Sequence, residues 1–195
     1  VGSDFVMDAM KKPLAMGADR LVLVDDAGLD NIDSSATVKV LAAAIEKDGP
    51  FDLVLGGRQA SDWDQAHVTL GLSEVLGLPL VSLVQKLELN GDSVSLQRVI
   101  PDGYQAITAP VPAVLTVTNE LGEPRYPNLR GIMQASRKKP EIFSLADLGL
   151  SAGDLAPKLE LKKLYVPESN KQVELIEDED EAESGKKLAL RLREE

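Results

Sequence analysis

The sequence predicts an α/β fold with a mostly parallel sheet and flanking helices, and two observations lead to that prediction. Short aliphatic runs at 21–24, 51–55 and 113–118 have the composition of strands that are covered on both faces. Segments with helical periodicity separate the first two runs, and parallel neighbours need such a long return path between them. The chain therefore alternates helix and strand up to about Pro79.

Three segments in this first part have the apolar spacing of helices. Residues 4–16 form the first, although Pro13 must interrupt or kink it because proline has no backbone N–H to donate. A second helix begins at Ser34 and Ser35, whose side chains can cap it, and ends at a Gly-Pro pair. A third runs through 68–76 and follows a loop that opens with two glycines.

Period-two alternation replaces the helical pattern after Pro79. Apolar positions between 87 and 96 flank an Asn-Gly pair, which predicts a β-hairpin. The strand at 113–118 leads into 119–127, which two prolines and a glycine mark as an exposed loop. A short helix is expected at 129–139, where three terminal cations favour the negative end of the helix dipole.

The chain divides by composition into a domain at 1–150 and a C-terminal arm at 151–195. The arm has spaced leucines and then seven acidic residues among the ten at 174–183. Such a run repels itself, so we expect a disordered or solvated arm. It also lacks the glycine-punctuated spacing of a calcium-binding loop.

Composition excludes several classes of protein. The 195 residues contain 21 Lys plus Arg against 32 Asp plus Glu, a net charge of −11, which argues against nucleic acid as a partner. The absence of cysteine excludes disulfides, Cys-ligated metals and a thiol nucleophile, and a single histidine leaves a His-rich metal site unsupported. We find neither a membrane-spanning apolar stretch nor an export signal, so the cytoplasm is the default compartment.

The loop at 57–68 is the first candidate for a binding site. Ligands of open parallel sheets bind beyond the carboxyl ends of the strands, where this loop is expected to lie. Two glycines allow close approach of a ligand to the backbone, and the amides that begin the next helix can hold a phosphate. The candidate nucleotide-binding residues are Gly57, Arg58, Gln59, Ala60, Ser61, Asp62, Trp63, Asp64, Gln65, Ala66, His67 and Val68.

Several side chains in this loop have two possible roles. Asp62 and Asp64 can accept hydrogen bonds from a ribose or adenine, or they can cap the following helix. His67 has no evident nucleophile beside it, so a structural role is favoured over that of a catalytic base. Trp63 packs against a cofactor or, as we expect, covers an apolar edge.

A longer stretch resembles a known family. Residues 123–135, Glu-Pro-Arg-Tyr-Pro-Asn-Leu-Arg-Gly-Ile-Met-Gln-Ala, with the following Arg137-Lys138-Lys139, closely resemble the signature of the electron transfer flavoprotein β subunit. The segments at 15–20, 57–64, 78–79 and 112–114 are similar to that family in order and approximate spacing. The resemblance covers about residues 1–150. Because the family's first strands precede this region, we expect an N-terminally truncated chain that binds nucleotide weakly by itself.

The resemblance implies an electron carrier subunit without catalytic residues of its own. Its fold is expected to be adenine nucleotide α-hydrolase-like, a Rossmann-like arrangement. It implies AMP or a second FAD on the loop at 57–68, and a heterodimer with an α subunit that carries FAD. It also implies docking onto acyl-CoA or related dehydrogenases of fatty acid oxidation, through an exposed leucine at Leu129 with Arg125 and Tyr126 beside it. Packing of Leu129 beneath its own helix is the alternative.

This chain departs from the family pattern at two places. Ala66-His67-Val68 stands where relatives tend to have Gly-Gln-Val or Asn-Gln-Thr, which affects side-chain contacts to a phosphate but not backbone contacts. The usual Arg-x-x-Asp-Gly-Gly region reads Arg-Val-Ile-Pro-Asp-Gly from Arg98 onward. The alternative functions are a nucleotide-binding module or an ATP-using enzyme of the same fold, and the absence of a Ser-Gly-Gly-x-Asp-Ser loop disfavours the enzyme.

Overall fold

The protein was analysed as a computed structural model that describes residues 1–30, 32–168 and 171–194. It divides into two compact units, Val1–Glu160 and Leu161–Glu195. The first unit contains two sheets with helices packed against them, so the predicted α/β class is confirmed. No helix within the described ranges has the length and apolar character that a membrane crossing requires.

The helices and strands follow each other in an alternating order through the first half of the chain. The helices are α1 (Met7–Met10), α2 (Lys12–Ala15), α3 (Ser34–Asp48), α4 (His67–Leu76), α5 (Leu129–Arg137) and α6 (Glu181–Glu194). The strands are β1 (Val22–Val24), β2 (Leu53–Gly57), β3 (Leu80–Asn90), β4 (Ser93–Ile100), β5 (Gly103–Pro110), β6 (Ala113–Val117) and β7 (Glu141–Phe143).

The larger sheet has five strands in the order β2-β6-β3-β4-β5. Its first three strands are parallel, and β3, β4 and β5 form an antiparallel meander. The smaller sheet pairs β1 with β7 in parallel. Strands β2 and β6 therefore end at one edge of the parallel region, where their last residues, Gly57 and Val117, lie side by side, whereas β3 continues to Asn90.

Strand β3 changes partner along its length because it contains an irregularity. Leu83 has a left-handed backbone with φ of 58°, and the register with both neighbours shifts next to it. The Leu83 amide donates to the Thr116 hydroxyl at 2.8 Å, which satisfies a backbone group that the interrupted ladder leaves free. The strand can thus continue from the parallel region into the meander.

Apolar side chains form three clusters in the first unit. One lies between α3 and the β1–β7 sheet, a second covers one face of the larger sheet, and a third joins α3 to α4. The helices of the third cluster are so close that a Cβ on Gly71 would stand 2.7 Å from Val38. Because α3 and α4 pack this tightly, their N-terminal ends are held close together.

The N-terminal cap of α3 differs from the prediction. Asp33, rather than Ser34 or Ser35, caps the helix, since its carboxylate accepts from the Ala36 amide at 2.8 Å. The second carboxylate oxygen accepts from the amides of Lys158 and Leu159 at 2.6 and 3.1 Å. The serines were favoured because sequence spacing cannot distinguish adjacent cap residues. A carboxylate can bind both segments at once, whereas one hydroxyl oxygen reaches fewer amides.

We expect Asp33→Ala to destabilise the first unit by about 1–2 kcal/mol, because it removes a helix cap and leaves amides unpaired. Hydrogen bonds from Ala36 first, and also from Lys158 and Leu159, hold the pKa of Asp33 below its ordinary value of 3.8. A lowered pKa means that this stabilisation is complete above that value and is lost as pH falls through the folded-state pKa. Urea unfolding at neutral and acid pH measures both effects.

The control for that experiment is Asp33→Ser, which keeps one cap acceptor for α3 but loses the second carboxylate oxygen. It should be less destabilised than the alanine variant, and its stability should not share the acid dependence that the Asp33 carboxylate confers. Equal stability of the wild-type and alanine chains would contradict the role of this carboxylate.

Three further elements differ from the sequence predictions. The first predicted helix is interrupted as expected, but at Lys11 and not at Pro13, which lies in the first turn of the second of two short helices, where proline is tolerated. The predicted hairpin is part of a three-stranded meander, and β5 was not anticipated. Helix α6 begins inside the predicted acidic arm, with Glu181 and Glu183 in its first turn and arginines in its last.

Candidate functional site

The loop that follows β2 lies at the carboxyl edge of the parallel strands, as predicted. Its first residues remain attached to the sheet, since the Arg58 amide donates to the Val117 carbonyl at 3.2 Å. Residues 58–65 are exposed, and the chain then enters α4 at His67. The structure thus brings the predicted nucleotide-binding residues together in one accessible loop at this edge.

The two glycines at the end of β2 have different environments. A Cβ on Gly56 would stand 2.2 Å from the Thr69 hydroxyl oxygen, so the absence of a side chain lets α4 pack against the strand. A Cβ on Gly57 would meet nothing within 4 Å. Gly56 therefore serves the packing of α4, and Gly57 presents open backbone at the start of the loop.

Thr69 connects α4 to the start of the loop, and sequence reasoning did not identify it. It is buried on the first turns of α4, and its hydroxyl donates to the Gly57 carbonyl at 3.1 Å. The contact fixes the end of β2 relative to the helix. The only available signal was a β-branched polar residue within an apolar helix, and that pattern alone does not indicate a partner.

The N-terminus of α4 has no side-chain cap. Ala66, the residue before the helix, has a left-handed backbone with φ of 54° and no side-chain oxygen. The Asp64 carboxylate instead accepts from the side-chain amide nitrogen of Gln59 at 2.8 Å. The Asp62 carboxylate accepts from the backbone N–H of Trp63 at 2.8 Å. The alternative in which either aspartate caps α4 is therefore wrong, because both carboxylates have partners inside the loop.

Uncapped amides give this edge of the sheet the chemistry of an anion site. The first N–H groups of a helix lack intrahelical acceptors, and the helix dipole adds a partial positive charge to them. The described positions of Asp62 and Asp64 leave those amides available to an oxyanion. A phosphate can thus be held by backbone groups alone, without the side chains that His67 and Ala66 replace.

His67 and Trp63 are both exposed on this loop and the helix start. The Nδ1 atom of His67 lies 3.4 Å from the Ser34 hydroxyl, at the adjacent N-terminus of α3. This contact gives His67 a polar neighbour on a second helix, and its structural role stays a prediction. Trp63 is 56% exposed, so a large part of its indole is available as a stacking surface.

The second candidate region is the loop at 122–128 with the start of α5. Tyr126 is 96% exposed and Leu129 is 75% exposed, whereas Arg125 places its guanidinium beside Gly17. Packing of Leu129 beneath its own helix is therefore wrong. Asn128 caps α5, with its side chain accepting from the Gly131 amide at 2.7 Å, and so holds Leu129 at the first position of the helix.

Helix α5 is fixed to the N-terminal helices while its outer face stays open. A Cβ on Gly131 would stand 2.6 Å from the Ala15 carbonyl oxygen, so α5 crosses α2 at very short distance. The Lys11 ammonium donates to the Ser136 carbonyl, and Lys138 donates to the carbonyls of Ala18 and Asp19. The outer face carries a shallow open groove lined by Leu129, Arg130, Met133, Gln134 and Arg137.

We expect Gly56→Ala to destabilise the fold and Gly57→Ala to have little effect on it. The first should destabilise the unit by about 1–3 kcal/mol, because the new methyl group overlaps Thr69 in a packed interface. The second adds a methyl group in open space and should change the free energy of unfolding by less than about 0.5 kcal/mol. Urea unfolding of the two variants tests this, and equal destabilisation would contradict the packing role of Gly56.

The comparison with family models decides the family. The model described as "Electron transfer flavoprotein domain" matches residues 1–148. The chain belongs to this family. The resemblance inferred from residues 123–139 is thereby confirmed, and the matched region contains both candidate sites.

Curated relatives of this electron transfer flavoprotein domain have consistent names. An electron transfer flavoprotein subunit beta from Thermoanaerobacterium thermosaccharolyticum is 40% identical over 151 residues, which are 77% of this chain and 58% of that protein. A subunit of the same name from Bacillus subtilis is 35% identical over 196 residues, which cover 100% of this chain and 76% of that protein. Subunit CarD of the caffeyl-CoA reductase-Etf complex from Acetobacterium woodii is 36% identical over 151 residues, 77% of this chain and 58% of its own length.

Proposed function

We propose that this chain is the β-type subunit of an electron transfer flavoprotein. In this function it binds AMP or a second FAD on the loop at 57–68 and supports the FAD of an α subunit. Donor dehydrogenases, such as acyl-CoA dehydrogenases, dock on the surface around Leu129. The chain acts as a holder and docking subunit, and it has no catalytic residues of its own.

The observation that carries the nucleotide part of the proposal is the uncapped N-terminus of α4 beside an open glycine. Gly57 permits the backbone to approach a ligand, and the amides at the start of α4 are free of side-chain acceptors. An adenylate phosphate on these amides would place the nucleoside along the exposed residues 58–65. There Asp62 and Asp64 can accept from ribose or adenine, and Trp63 can stack on the base.

AMP and FAD share the adenylate group that these residues fit, which is why both remain within the proposal. FAD would add a flavin able to accept and release one or two electrons, whereas AMP would contribute only to assembly. The residues of the loop bind the shared portion through the same backbone groups in either case. The role of this chain is then to bind and position the nucleotide.

The docking part of the proposal depends on the exposure of Leu129. An apolar side chain at the first position of a capped helix is held in place before a partner arrives, so little further entropy is lost on binding. Such an anchor contributes binding free energy when it enters an apolar pocket of a partner. Tyr126, which is 96% exposed, and Arg125 precede Leu129 in the same loop and would contribute aromatic and polar contacts to a partner.

Purification of the protein with its neighbouring α-type subunit tests this function. We expect a yellow heterodimer that accepts electrons from an acyl-CoA dehydrogenase and releases AMP or FAD from the β-type chain on denaturation. Titration of AMP into the nucleotide-depleted complex should then restore its thermal stability. A colourless single chain that turns over ATP would refute the carrier function and support the enzyme of the same fold.

A further inference from the structure

Arg98 is a partly buried cation in β4 without a carboxylate partner. Its Nε atom is buried and has no hydrogen-bond partner. Within the described residues of Val1–Glu160, no ion pair and no side-chain hydrogen bond joins Arg98 to another residue. Buried charged groups are normally paired, so an unpaired arginine requires an explanation. The chain carries 32 acidic residues, which makes the lack of a neighbouring carboxylate more informative.

The sheet register places Arg98 at the carboxyl edge of the parallel strands. Arg98 pairs with Val84, Val84 pairs with Val117, and Val117 pairs with Gly57. Residues paired directly across strands point to the same face, so Arg98 shares a face with the open backbone of Gly57. Three strand spacings separate the two, about 14 Å.

This face is the one opposite to α4. Gly56 faces α4, because its Cβ position would overlap Thr69, and alternation along β2 then turns Gly57 to the other side. Val94 and Leu96 precede Arg98 on the same face and are buried in the cluster that covers it. The aliphatic stem of Arg98 continues that row on the same face.

The position separates Arg98 from the candidate nucleotide site. The uncapped amides belong to α4, which packs against the other face of the sheet. The direct cross-strand neighbour of Arg98 is Gln105, an exposed amide on the edge strand β5, and Ile100 on the same face is 40% exposed. A cation with an amide and an exposed apolar residue beside it fits a protein surface better than a nucleotide phosphate.

We propose that Arg98 binds a carboxylate, an aspartate or glutamate side chain, of the partner subunit in the assembled flavoprotein. The inference rests on the proposed function, since it requires such a partner. Charge complementarity selects the ligand: guanidinium N–H groups bind the two oxygens of a carboxylate in parallel, and the half-buried stem holds the guanidinium in place. The amide of Gln105 can donate a further hydrogen bond to the same carboxylate.

The test compares the affinity of the α-type subunit for wild-type, Arg98→Gln, Arg98→Lys and Lys86→Gln chains by titration calorimetry. Arg98→Gln should weaken association at least about tenfold, because the partner's carboxylate is left buried and unpaired. Arg98→Lys should be intermediate, since it keeps the charge but not the planar fork. Lys86→Gln is the matched control: Lys86 lies on the opposite face, forms an ion pair with Glu88, and should change the affinity less than twofold.

Two further measurements separate the possible outcomes. The thermal midpoint of the Arg98→Gln chain alone and its affinity for AMP should match the wild type. A loss of AMP affinity would show that Arg98 binds the nucleotide. A lower thermal midpoint of the isolated Arg98→Gln chain would show that Arg98 stabilises the fold. Either result overturns the inference. If the wild-type chain assembles and Arg98→Gln binds equally well, this inference fails alone. If the wild-type chain does not assemble, the proposed function fails with it.

Discussion

Leu129→Ala should slow electron delivery from an acyl-CoA dehydrogenase to the assembled flavoprotein about tenfold to a hundredfold at low dehydrogenase concentration. An apolar anchor of this size contributes about 1.5–3 kcal/mol when it is fully buried in a partner. Because Leu129 is 75% exposed in the chain, its truncation removes little packing within the fold. We therefore expect an unchanged free energy of unfolding and unchanged association with the α-type subunit. Stopped-flow reduction kinetics against dehydrogenase concentration measure the effect.

The matched control is Leu89→Ala, the same truncation at a residue that is 61% exposed near the tip of the β3–β4 hairpin. It should leave the kinetics within a factor of two of the wild type. Unchanged kinetics for Leu129→Ala, or equal losses in both variants, would remove the docking role from α5. A loss that appears only at saturating dehydrogenase would place the effect on the electron-transfer step instead of the encounter.

Gly131→Ala should destabilise the first unit by about 2 kcal/mol, although alanine is the better helix former. The new methyl group would stand 2.6 Å from the Ala15 carbonyl oxygen, a backbone atom that cannot rotate away. The steric cost of forcing α5 off α2 is expected to exceed the propensity gain of about 1 kcal/mol. The displaced helix should also misplace Leu129, so electron delivery should fall together with stability. Urea unfolding and the same kinetic assay measure the two effects.

Gly185→Ala is the control for this substitution. Gly185 also lies inside a helix, α6, but a Cβ there would meet nothing within 4 Å. Only the helix propensity should act, and the variant should be as stable as the wild type or slightly more so. Stabilisation of the Gly131→Ala chain would show that α5 does not cross α2 as closely as the contact indicates.

The two variants distinguish the direct and indirect roles of α5. Leu129→Ala removes the proposed anchor for the dehydrogenase and keeps the helix in place. Gly131→Ala keeps the contact residue and moves the helix that carries it. If both slow electron delivery but only the second destabilises the chain, docking depends on Leu129 itself and on the short α2–α5 crossing that positions it.

Several elements could be predicted because their signals are local. Helix α4, strand β6 and the turn at Asn90 and Gly91 lie where the hydrophobic period and the turn residues predicted them. The strand β5 escaped prediction because Gly-Tyr-Gln-Ala-Ile-Thr-Ala-Pro has a single β-branched aliphatic residue, begins with glycine, ends with proline and is mostly exposed. Its pairing with all eight residues of β4, and not its composition, makes it a strand.

The sequence by itself determined the α/β class, the family, the loop at 57–68 and the stretch that contains Leu129. These depend on neighbouring residues, so their signals survive in a linear string. Only the tertiary structure decided that Gly56 packs on Thr69 while Gly57 is open, that Asp33 binds two segments, and that the Nε atom of Arg98 has no hydrogen-bond partner among the described residues. Each of these is a contact, or its absence, between residues distant in sequence. Whether a side chain finds a partner depends on which elements the fold brings beside it.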